Sequence, residues 1–355
     1  MDNIKRLTFP KDADALLITS DINRRYFTGM KSSAGMVLIF PEKAYLIIDF
    51  RYIEKARDIV KNCEVIEQGS GTTDKQIMEL MEKHGAKTLA VESMDMTVSR
   101  LNMFRTKLPD IEFITTDELS KAIYDLRTTK TEDEIEKIQK AQEIAEKAFD
   151  KLLGYIKPGI SERELALKLD EFMLHGGAEA LSFETIVLSG TNTSMPHGVP
   201  SDKKIQDGEF VLMDFGAVFE GYHSDMTRTV CVGQPTDEMK KVYNIVLEAQ
   251  EKAIKGVRSG ITGMELDAIA RDYITDKGYG EAFGHSLGHG VGMEIHEYPN
   301  ASSRSKTVFG KNMVVTVEPG IYIPGKFGVR IEDFVVVTEN SCRNLTKCSK
   351  NLIIL

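Results

Sequence analysis

GEFVLMDFGAVFEGYHSDMTRTVCV, residues 208–232, is the most informative segment for the fold of the larger part of this chain. Two apolar-rich runs flank Phe219-Glu220-Gly221, a combination that predicts two strands joined by a hairpin turn. Folding the two runs back on each other at this turn sets Asp214 opposite Asp225. Because like charges that face each other on a mostly apolar sheet are unfavourable, this pair requires compensation.

A second stretch has the same form. MVVTVEPGIYIPGKFGVRIEDFVVV, residues 313–337, folds back at the turn signal Pro324-Gly325. The same pairing sets Glu318 opposite Glu332, so the sequence predicts two ribbons that each bring two carboxylates face to face.

Three kinds of compensation are open for these four acids. One carboxylate of a pair stays protonated, a lysine or arginine pairs with it, or cations lie between the acids. Four carboxylates with one neutral imidazole carry a charge of −4, which two divalent ions cancel. Asp214 and Glu318 lie in the apolar surroundings VLMDFG and VVTVEPG, where a solvated acid is not expected, so we favour metal. Oxygen ligands with a single nitrogen suit manganese, cobalt, iron or zinc.

The stretch HSLGHGVGMEIHEYP, residues 285–299, gathers histidines on a segment that is poor at forming a helix. Each of its glycines costs a helix about 1 kcal/mol, and glycine lets a backbone approach a crowded centre. This pattern indicates a metal site or an acid/base cluster, and a loop with incidental histidines is the alternative. The spacing alone does not decide whether His285 or His289 binds metal.

An internal repeat places both ribbons in equivalent units. KPGISERELALKLDEF, residues 157–172, aligns with RSGITGMELDAIARDY, residues 258–273. Each copy carries a capping box and a later histidine: Ser161 with Glu164 and then His197, and Thr262 with Glu265 and then His296. The shared order of these features predicts a duplicated unit.

The first 125 residues have a different pattern, in which strands alternate with helices. Apolar runs predict strands at Ala15–Thr19, Met36–Phe40, Tyr45–Ile48 and Thr88–Val91, and helical stretches lie at Arg51–Lys61 and Asp74–His84. This alternation is typical of an α/β layer domain. A capping box of Thr131 with Glu134 opens a long helix after it. We therefore expect an α/β domain over residues 1–125 and an α+β domain over residues 126–355.

The composition limits the partners and the compartment. A net charge of −9 argues against nucleic acid, and no apolar run approaches the roughly eighteen residues of a membrane span. Lys5 and Arg6 are not followed by the apolar segment of a signal peptide. Four cysteines without a CxxC pair favour reduced thiols and a cytoplasmic protein: Cys63, Cys231, Cys342 and Cys348.

Six motifs occur in an order that resembles the creatinase/aminopeptidase superfamily, which has the pita-bread fold. They are PHG (196–198), MDFGA (213–217), SDMTRT (224–229), GHGVGMEIHE (288–297), EPGIY (318–322) and GVRIED (328–333). The whole chain resembles the Xaa-Pro aminopeptidases and prolidases, more loosely in its amino-terminal part, which is similar to creatinase-type N-terminal domains. The resemblance implies a pita-bread domain with an internal pseudo-two-fold repeat.

The resemblance also implies a dinuclear metal centre and selects its nitrogen ligand. The implied ligands are Asp214, Asp225, His289, Glu318 and Glu332, with manganese first and cobalt, zinc or iron as alternatives. The implied catalytic groups are His197, His285, His296, Glu318 and Arg330. We expect two ions to lower the pKa of a water and supply hydroxide, His285 and His296 to stabilise the oxyanion, and Glu318 to carry a proton.

The implied reaction is hydrolysis of the amino-terminal Xaa-Pro bond of short proline-containing peptides by a homodimer. A prolidase, which accepts dipeptides only, is the alternative. A non-catalytic binding module of the same fold is a third interpretation. Asn300 stands where prolidase-like members can carry arginine, and Glu184 stands where relatives often carry proline. The first departure favours an aminopeptidase. His223 matches no motif and is predicted at the surface, and Arg228 is open as a salt-bridge partner or a substrate contact.

Overall fold

The computed structural model describes residues 3–355, so Met1 and Asp2, which begin the segment considered as a signal peptide, lie outside the described residues. The chain divides into two compact units, one that ends at Arg127 and one that begins at Thr128. Among residues 3–355, no helix combines the length and the apolarity needed to cross a bilayer.

The amino-terminal unit is a mixed sheet with helices between its strands. The strands are β1 (Ala15–Ile18), β2 (Met36–Ile39), β3 (Ala44–Ile48), β4 (Glu64–Glu67), β5 (Thr88–Val91) and β6 (Glu112–Ile114), and the helices are α1 (Asp21–Thr28), α2 (Phe50–Ile59), α3 (Thr73–Lys83), α4 (Val98–Lys107) and α5 (Glu118–Thr128). The strand order is β4-β3-β2-β1-β5-β6, with β2 antiparallel to both neighbours. The four predicted strands are confirmed as β1, β2, β3 and β5. The polar edge strands β4 and β6 were not predicted, because half-exposed residues give no apolar run.

The carboxyl-terminal unit contains four long helices and several small antiparallel sheets. The helices are α6 (Glu132–Leu153), α7 (Glu162–His175), α8 (Asp237–Gly256) and α9 (Gly263–Asp276). The strands are β7 (Ala180–Leu181), β8 (Ile186–Ser189), β9 (Glu209–Phe215), β10 (Ala217–Phe219), β11 (Tyr222–His223), β12 (Met226–Val232), β13 (Gly288–Gly290), β14 (Glu297–Ala301), β15 (Val314–Val317), β16 (Gly320–Ile323), β17 (Phe327–Arg330), β18 (Asp333–Val337) and β19 (Cys342–Asn344). The sheets are ordered β12-β9-β8, β11-β10-β7, β14-β13-β15-β18-β19 and β16-β17.

The repeat is visible in the backbone hydrogen bonds of the segments that precede α7 and α9. Both helices begin with the predicted capping box. Gly159, with a φ of 87°, donates its N–H to the carbonyl of Ile205 at 2.9 Å, and Gly260, with a φ of 85°, donates to Phe309 at 2.8 Å. Both positions need the left-handed conformation that glycine adopts without strain. The two halves therefore use the same backbone solution to join helix and sheet.

Each half has its own buried core, and the acids lie on the other face of the strands. Side chains of α6, α7, β8, β9 and β12 form one apolar cluster, and those of α8, α9, β15 and β18 belong to another. On β9, Met213 and Phe215 point into the first cluster. Because side chains alternate along a strand, Asp214 between them points away from that core. The strands thus present their carboxylates to a separate space.

Candidate metal centre

The first ribbon turns at Glu220-Gly221, where both residues have positive φ (48° and 86°), as in the two-residue hairpin turns of type I′. The predicted register was wrong by two residues, because Asp214 pairs with Thr227 and not with Asp225. The predicted pairing centred the turn between Phe219 and Glu220, whereas the observed turn is centred between Glu220 and Gly221. An even shift keeps a residue on the same face of the sheet. Asp225 therefore still lies on the side of Asp214, directly before β12.

The second ribbon has the predicted register. Val317 pairs with Asp333 and Gly320 pairs with Arg330, so the intervening position sets Glu318 opposite Glu332. Glu332 directly precedes β18, as Asp225 directly precedes β12. The two ribbons thus deliver four carboxylates from equivalent places.

These carboxylates keep oxygens that the protein does not satisfy. Asp225 and Glu332 are buried, and Oδ1 of Asp214 and Oε1 of Glu332 are buried without a hydrogen-bond partner within residues 3–355. The second oxygen of Glu332 and of Asp214 does accept a hydrogen bond. Thr227 Oγ1 donates to Glu332 Oε2 at 2.7 Å, and Arg330 Nη2 donates to Asp214 Oδ2 at 2.6 Å. A buried unsatisfied carboxylate oxygen is costly, which indicates that these atoms face a bound ion.

His289 supplies an imidazole nitrogen to the same cluster. Its Nε2 lies 3.5 Å from Asp225 Oδ2 and 3.4 Å from Glu318 Oε1. Its Nδ1 lies 3.0 Å from the carbonyl of Gly290 and must donate there, which leaves the Nε2 lone pair directed at the acids. Burial lowers the pKa of His289 to about 4, so the ring is neutral. A neutral imidazole with a free lone pair is the form that binds metal.

The glycines beside His289 allow strands to approach closely. A Cβ at Gly288 would lie 2.0 Å from the carbonyl oxygen of Thr316, and one at Gly290 would lie 2.2 Å from that of Tyr298. This is why the histidine-rich stretch is a short strand, β13, packed between β14 and β15. The close backbone approach predicted from the glycines is confirmed.

The electrostatics of the cluster fit divalent cations. Burial, followed by the neighbouring charges of Asp214 and Glu318, raises the pKa of Asp225 well above its ordinary value. Burial also raises the pKa of Glu332, and raises that of Glu318 to about 8. Ligand atoms of Asp225, His289 and Glu332 lie within 4.8 Å of one another. Positive ions at this point would remove both the repulsion and the unsatisfied oxygens.

A cavity of about 540 Å³ opens onto the cluster. All nine site residues predicted from the sequence line it: His197, Asp214, Asp225, His285, His289, His296, Glu318, Arg330 and Glu332. The His296 ring lies 4.3 Å from the His289 ring, measured between centroids, and is exposed to solvent, as is His197. Asn300 and the exposed Glu184 also line the cavity.

Tyr322 is a site residue that the sequence reasoning missed. Arg330 Nη1 donates to Tyr322 Oη at 2.7 Å, and Tyr322 Oη lies 3.0 Å from His285 Nε2. Because His285 Nδ1 must donate to the carbonyl of Ser286 at 2.8 Å, the hydroxyl donates to Nε2. Both ring nitrogens of His285 are therefore engaged within the protein. The motif EPGIY, which ends at this tyrosine, was the available signal.

Two residues of the first ribbon have structural partners. His223 was predicted at the surface, which is wrong, because it is half-buried with its Nδ1 2.8 Å from Ser182 Oγ. Arg228 Nη2 donates to Asp333 Oδ1 at 2.8 Å, and both side chains are at most 2% exposed. Arg228 is thus a buried salt-bridge partner that links the two halves.

Comparison with protein families agrees with this site. Residues 136–339, more than half of the chain, match metallopeptidase family M24. The chain belongs to this family. Residues 2–128 match the creatinase/prolidase N-terminal domain. The M24 chain is therefore a metallopeptidase with an α/β creatinase-type domain and an α+β pita-bread domain, as the resemblance implied.

Relatives of this M24 chain have both kinds of Xaa-Pro activity in their names. It is 42% identical to the Xaa-Pro dipeptidase of Pyrococcus horikoshii, over 96% of this chain and 94% of that protein. Among solved structures, the Xaa-Pro dipeptidase of Bacillus anthracis matches with a TM-score of 0.92 at 45% identity, covering 97% and 95% of the two chains. The X-Pro aminopeptidase of Thermotoga maritima matches with a TM-score of 0.93 at 40% identity, covering 97% and 98%.

Proposed function

We propose that this protein hydrolyses the amino-terminal Xaa-Pro bond of short peptides as an Xaa-Pro aminopeptidase. The observation that carries the proposal is the cluster of four carboxylates and a neutral imidazole that lines a cavity of about 540 Å³. Two of the carboxylates, Asp225 and Glu332, are buried. The named relatives that act on Xaa-Pro substrates support the specificity.

The residues that would hold the ions are Asp214, Asp225, His289, Glu318 and Glu332. Two divalent ions bound there would supply a low-pKa water and charge stabilisation at the scissile carbonyl. Their donor set of carboxylate oxygens with one imidazole favours manganese, with cobalt, zinc and iron as alternatives.

The remaining groups of the cavity act on the peptide. His296, exposed beside His289, is the proposed donor to the oxyanion. Glu318, a partly exposed carboxyl in the lining of the cavity, carries a proton towards the proline nitrogen, which leaves as a secondary amine. His285 uses both nitrogens within the protein, so we assign it to orienting Tyr322 and through it Arg330. His197, an exposed residue of the cavity lining, contacts substrate.

The charges of the cavity lining support an aminopeptidase over a prolidase. A dipeptide places its carboxylate inside the site, where a cationic side chain would bind it. Arg330 is the one permanently cationic residue among the described lining residues, and it is already bonded to Asp214, Tyr322 and Thr227. Asn300 is neutral. A peptide that continues beyond proline avoids burying an unpaired carboxylate, whereas a prolidase requires that carboxylate.

A two-substrate assay tests the proposal. Chelator treatment should abolish cleavage of Ala-Pro-Ala, and manganese or cobalt should restore it, with Ala-Pro cleaved more slowly than the tripeptide. Full turnover after exhaustive demetallation would reject the metal-dependent reaction. Preference for Ala-Pro would identify a prolidase, and metal binding without cleavage of either peptide would identify a binding module.

The proposal includes three further properties that follow from the resemblance: manganese as the native metal, a homodimer and a cytoplasmic location. Elemental analysis of the purified protein tests the first, and light scattering tests the second. Fractionation of the source cells tests the third. A monomer that retains full activity would remove the dimer from the proposal.

A further inference from the structure

Glu162 is a fully buried carboxylate outside the metal centre, at the first position of α7. Its oxygens accept hydrogen bonds from three residues: Ser189, which ends β8, and Asn192 and Ser201, which follow β8. Ser189 donates its N–H at 2.7 Å and its Oγ at 2.9 Å, and Ser201 donates its N–H at 3.0 Å and its Oγ at 2.6 Å. Asn192 Nδ2 donates to both oxygens, at 3.0 and 3.2 Å.

These donors bracket one loop of the cavity. Ser189 ends β8, and Ser201 directly follows the segment Pro196–Pro200, which lines the cavity and contains His197. The middle of the loop is exposed, as His197 and Val199 are. A single carboxylate therefore joins both ends of the loop that carries His197.

Helix capping does not account for Glu162. The N-cap of α7 is Ser161, whose Oγ accepts from the N–H of Glu164, while Glu164 accepts from the N–H of Ser161. A complete capping box thus stands beside Glu162. Lys203 Nζ donates to Ser189 Oγ and to Glu209. The nearby lysine therefore forms its ion pair with Glu209 and not with Glu162.

The second half of the repeat has no acid at the equivalent place. The first residue of α9 is Gly263, where a Cβ would lie 2.1 Å from the carbonyl oxygen of Asn300. There the segment that follows His296 packs directly on the helix. The fold therefore does not require a carboxylate at the first position of such a helix. Glu162 instead serves the loop that carries His197, to which it is hydrogen-bonded.

We propose that Glu162 is a positioning residue that holds His197 in its place on the cavity wall. The catalytic consequence rests on the proposed function, whereas the structural consequence does not. Displacement of a positioned group by about 1 Å slows an enzyme by up to about 100-fold. Loss of the anchor should therefore lower kcat/KM without removing metal, because none of its donors belongs to the metal cluster.

Glu162→Gln tests the proposal, with Glu164→Gln as the matched control on the same helical turn. The amide group introduced by the first substitution would face the N–H of Ser201 or Ser189 with a donor. The control weakens a cap and removes an exposed ion pair with Lys204. We expect Glu162→Gln to reduce kcat/KM for Ala-Pro-Ala about 10- to 100-fold at unchanged metal content, and Glu164→Gln to change it less than about threefold. Equal effects of the two variants would overturn the proposal.

A double-mutant cycle separates positioning from general loosening. If Glu162 acts through His197, Glu162→Gln should have little further effect in a His197→Ala background, because residues that act as a unit are non-additive. Additive losses would overturn the proposal. Glu162→Ala in the same cycle provides a second variant, should the glutamine form fold poorly.

Hydrogen exchange gives a readout that is independent of turnover. The amides of Ser189 and Ser201 should exchange faster in Glu162→Gln than in wild type or Glu164→Gln, because both donate to Glu162. If the wild type cleaves no Xaa-Pro peptide, the proposed function fails while this measurement still tests the anchor. Unchanged exchange at both amides would overturn the anchor itself.

Discussion

The two halves of the pita-bread unit perform one task with different details. Each half places one acid on or directly after an outgoing strand (Asp214 and Glu318) and a second acid directly before the return strand (Asp225 and Glu332). In the second half the acids face each other, but in the first half they are offset by two residues. The offset is even, so both pairs face the centre. The metal centre therefore requires that both acids of a ribbon lie on the same face of the sheet, and it does not require that they pair directly with each other.

The halves differ more in how they hold their histidine loops. The first half fixes the loop of His197 through hydrogen bonds to one buried carboxylate, Glu162. The second half places Glu297 directly after His296 and pairs it with Lys130 at 2.7 Å, with side chains 4% and 1% exposed. The same structural problem is thus solved by hydrogen bonds to a buried anion in one half and by a buried ion pair in the other.

The largest expected effect tests whether the halves contribute equally to the metal centre. Asp225→Asn removes an acid from the first half and Glu332→Gln removes its counterpart from the second. Each should lower kcat/KM by about a thousandfold or more and reduce bound metal, because several kcal/mol of charge stabilisation depend on the ions. Elemental analysis and kinetics measure both, with Glu220→Gln, an exposed acid of the same ribbon, as the control. A variant with full metal and full rate would show that its half is dispensable.

The metal-free proteins provide a second test of the four carboxylates. Asp225 and Glu332 repel each other and the other acids in the absence of ions. At a pH above the raised pKa values of these carboxyls, either neutral variant should therefore unfold at a higher temperature than the wild type when both are stripped of metal, although it is the less active enzyme. Calorimetry with and without added manganese measures this reversal. An equal melting temperature for all metal-free forms would contradict the assignment of repulsion.

A smaller effect is expected at the ion pair that holds the second loop. Lys130→Met leaves Glu297 buried without this cation, which should lower the free energy of unfolding by about 3–5 kcal/mol and also lower kcat through His296. The control is Lys140→Met on α6, whose pair with Glu143 at 3.5 Å is exposed and should contribute at most about 1 kcal/mol. Chemical denaturation of the two variants compares them. Similar losses for both would mean that the buried pair does not fix the loop.

Much of the fold was predictable because its signals are local. Apolar runs gave four of the strands in the amino-terminal sheet, and the three capping boxes lie at the predicted helix starts. The acids of the second ribbon were paired correctly because the predicted pairing is centred on Gly325, as the observed turn is. Glu220-Gly221 is less clear, since glutamate rarely adopts positive φ, and this produced the two-residue error.

What the sequence could not provide were contacts between distant segments. Tyr322 and Glu162 contact partners on other segments of the chain, for which spacing gives no signal. His223 lies beside a turn and reads as exposed, but Ser182 on another segment covers it. Burial set by tertiary packing is invisible to local patterns.

The smallest expected effect compares the two turns that close the ribbons. Glu220 adopts a φ of 48°, whereas Gly325 adopts 74° in the second turn. Glu220→Asn should raise the free energy of unfolding by about 0.5–1 kcal/mol, because asparagine tolerates the left-handed region better. Gly325→Ala should lower it by about 1 kcal/mol, since a Cβ is disfavoured there. Glu220 also lies 3.8 Å from Lys137, but this exposed pair contributes little. Calorimetry should show melting shifts of opposite sign, about 2–4 °C per kcal/mol, and shifts of the same sign would contradict the strain assigned to Glu220.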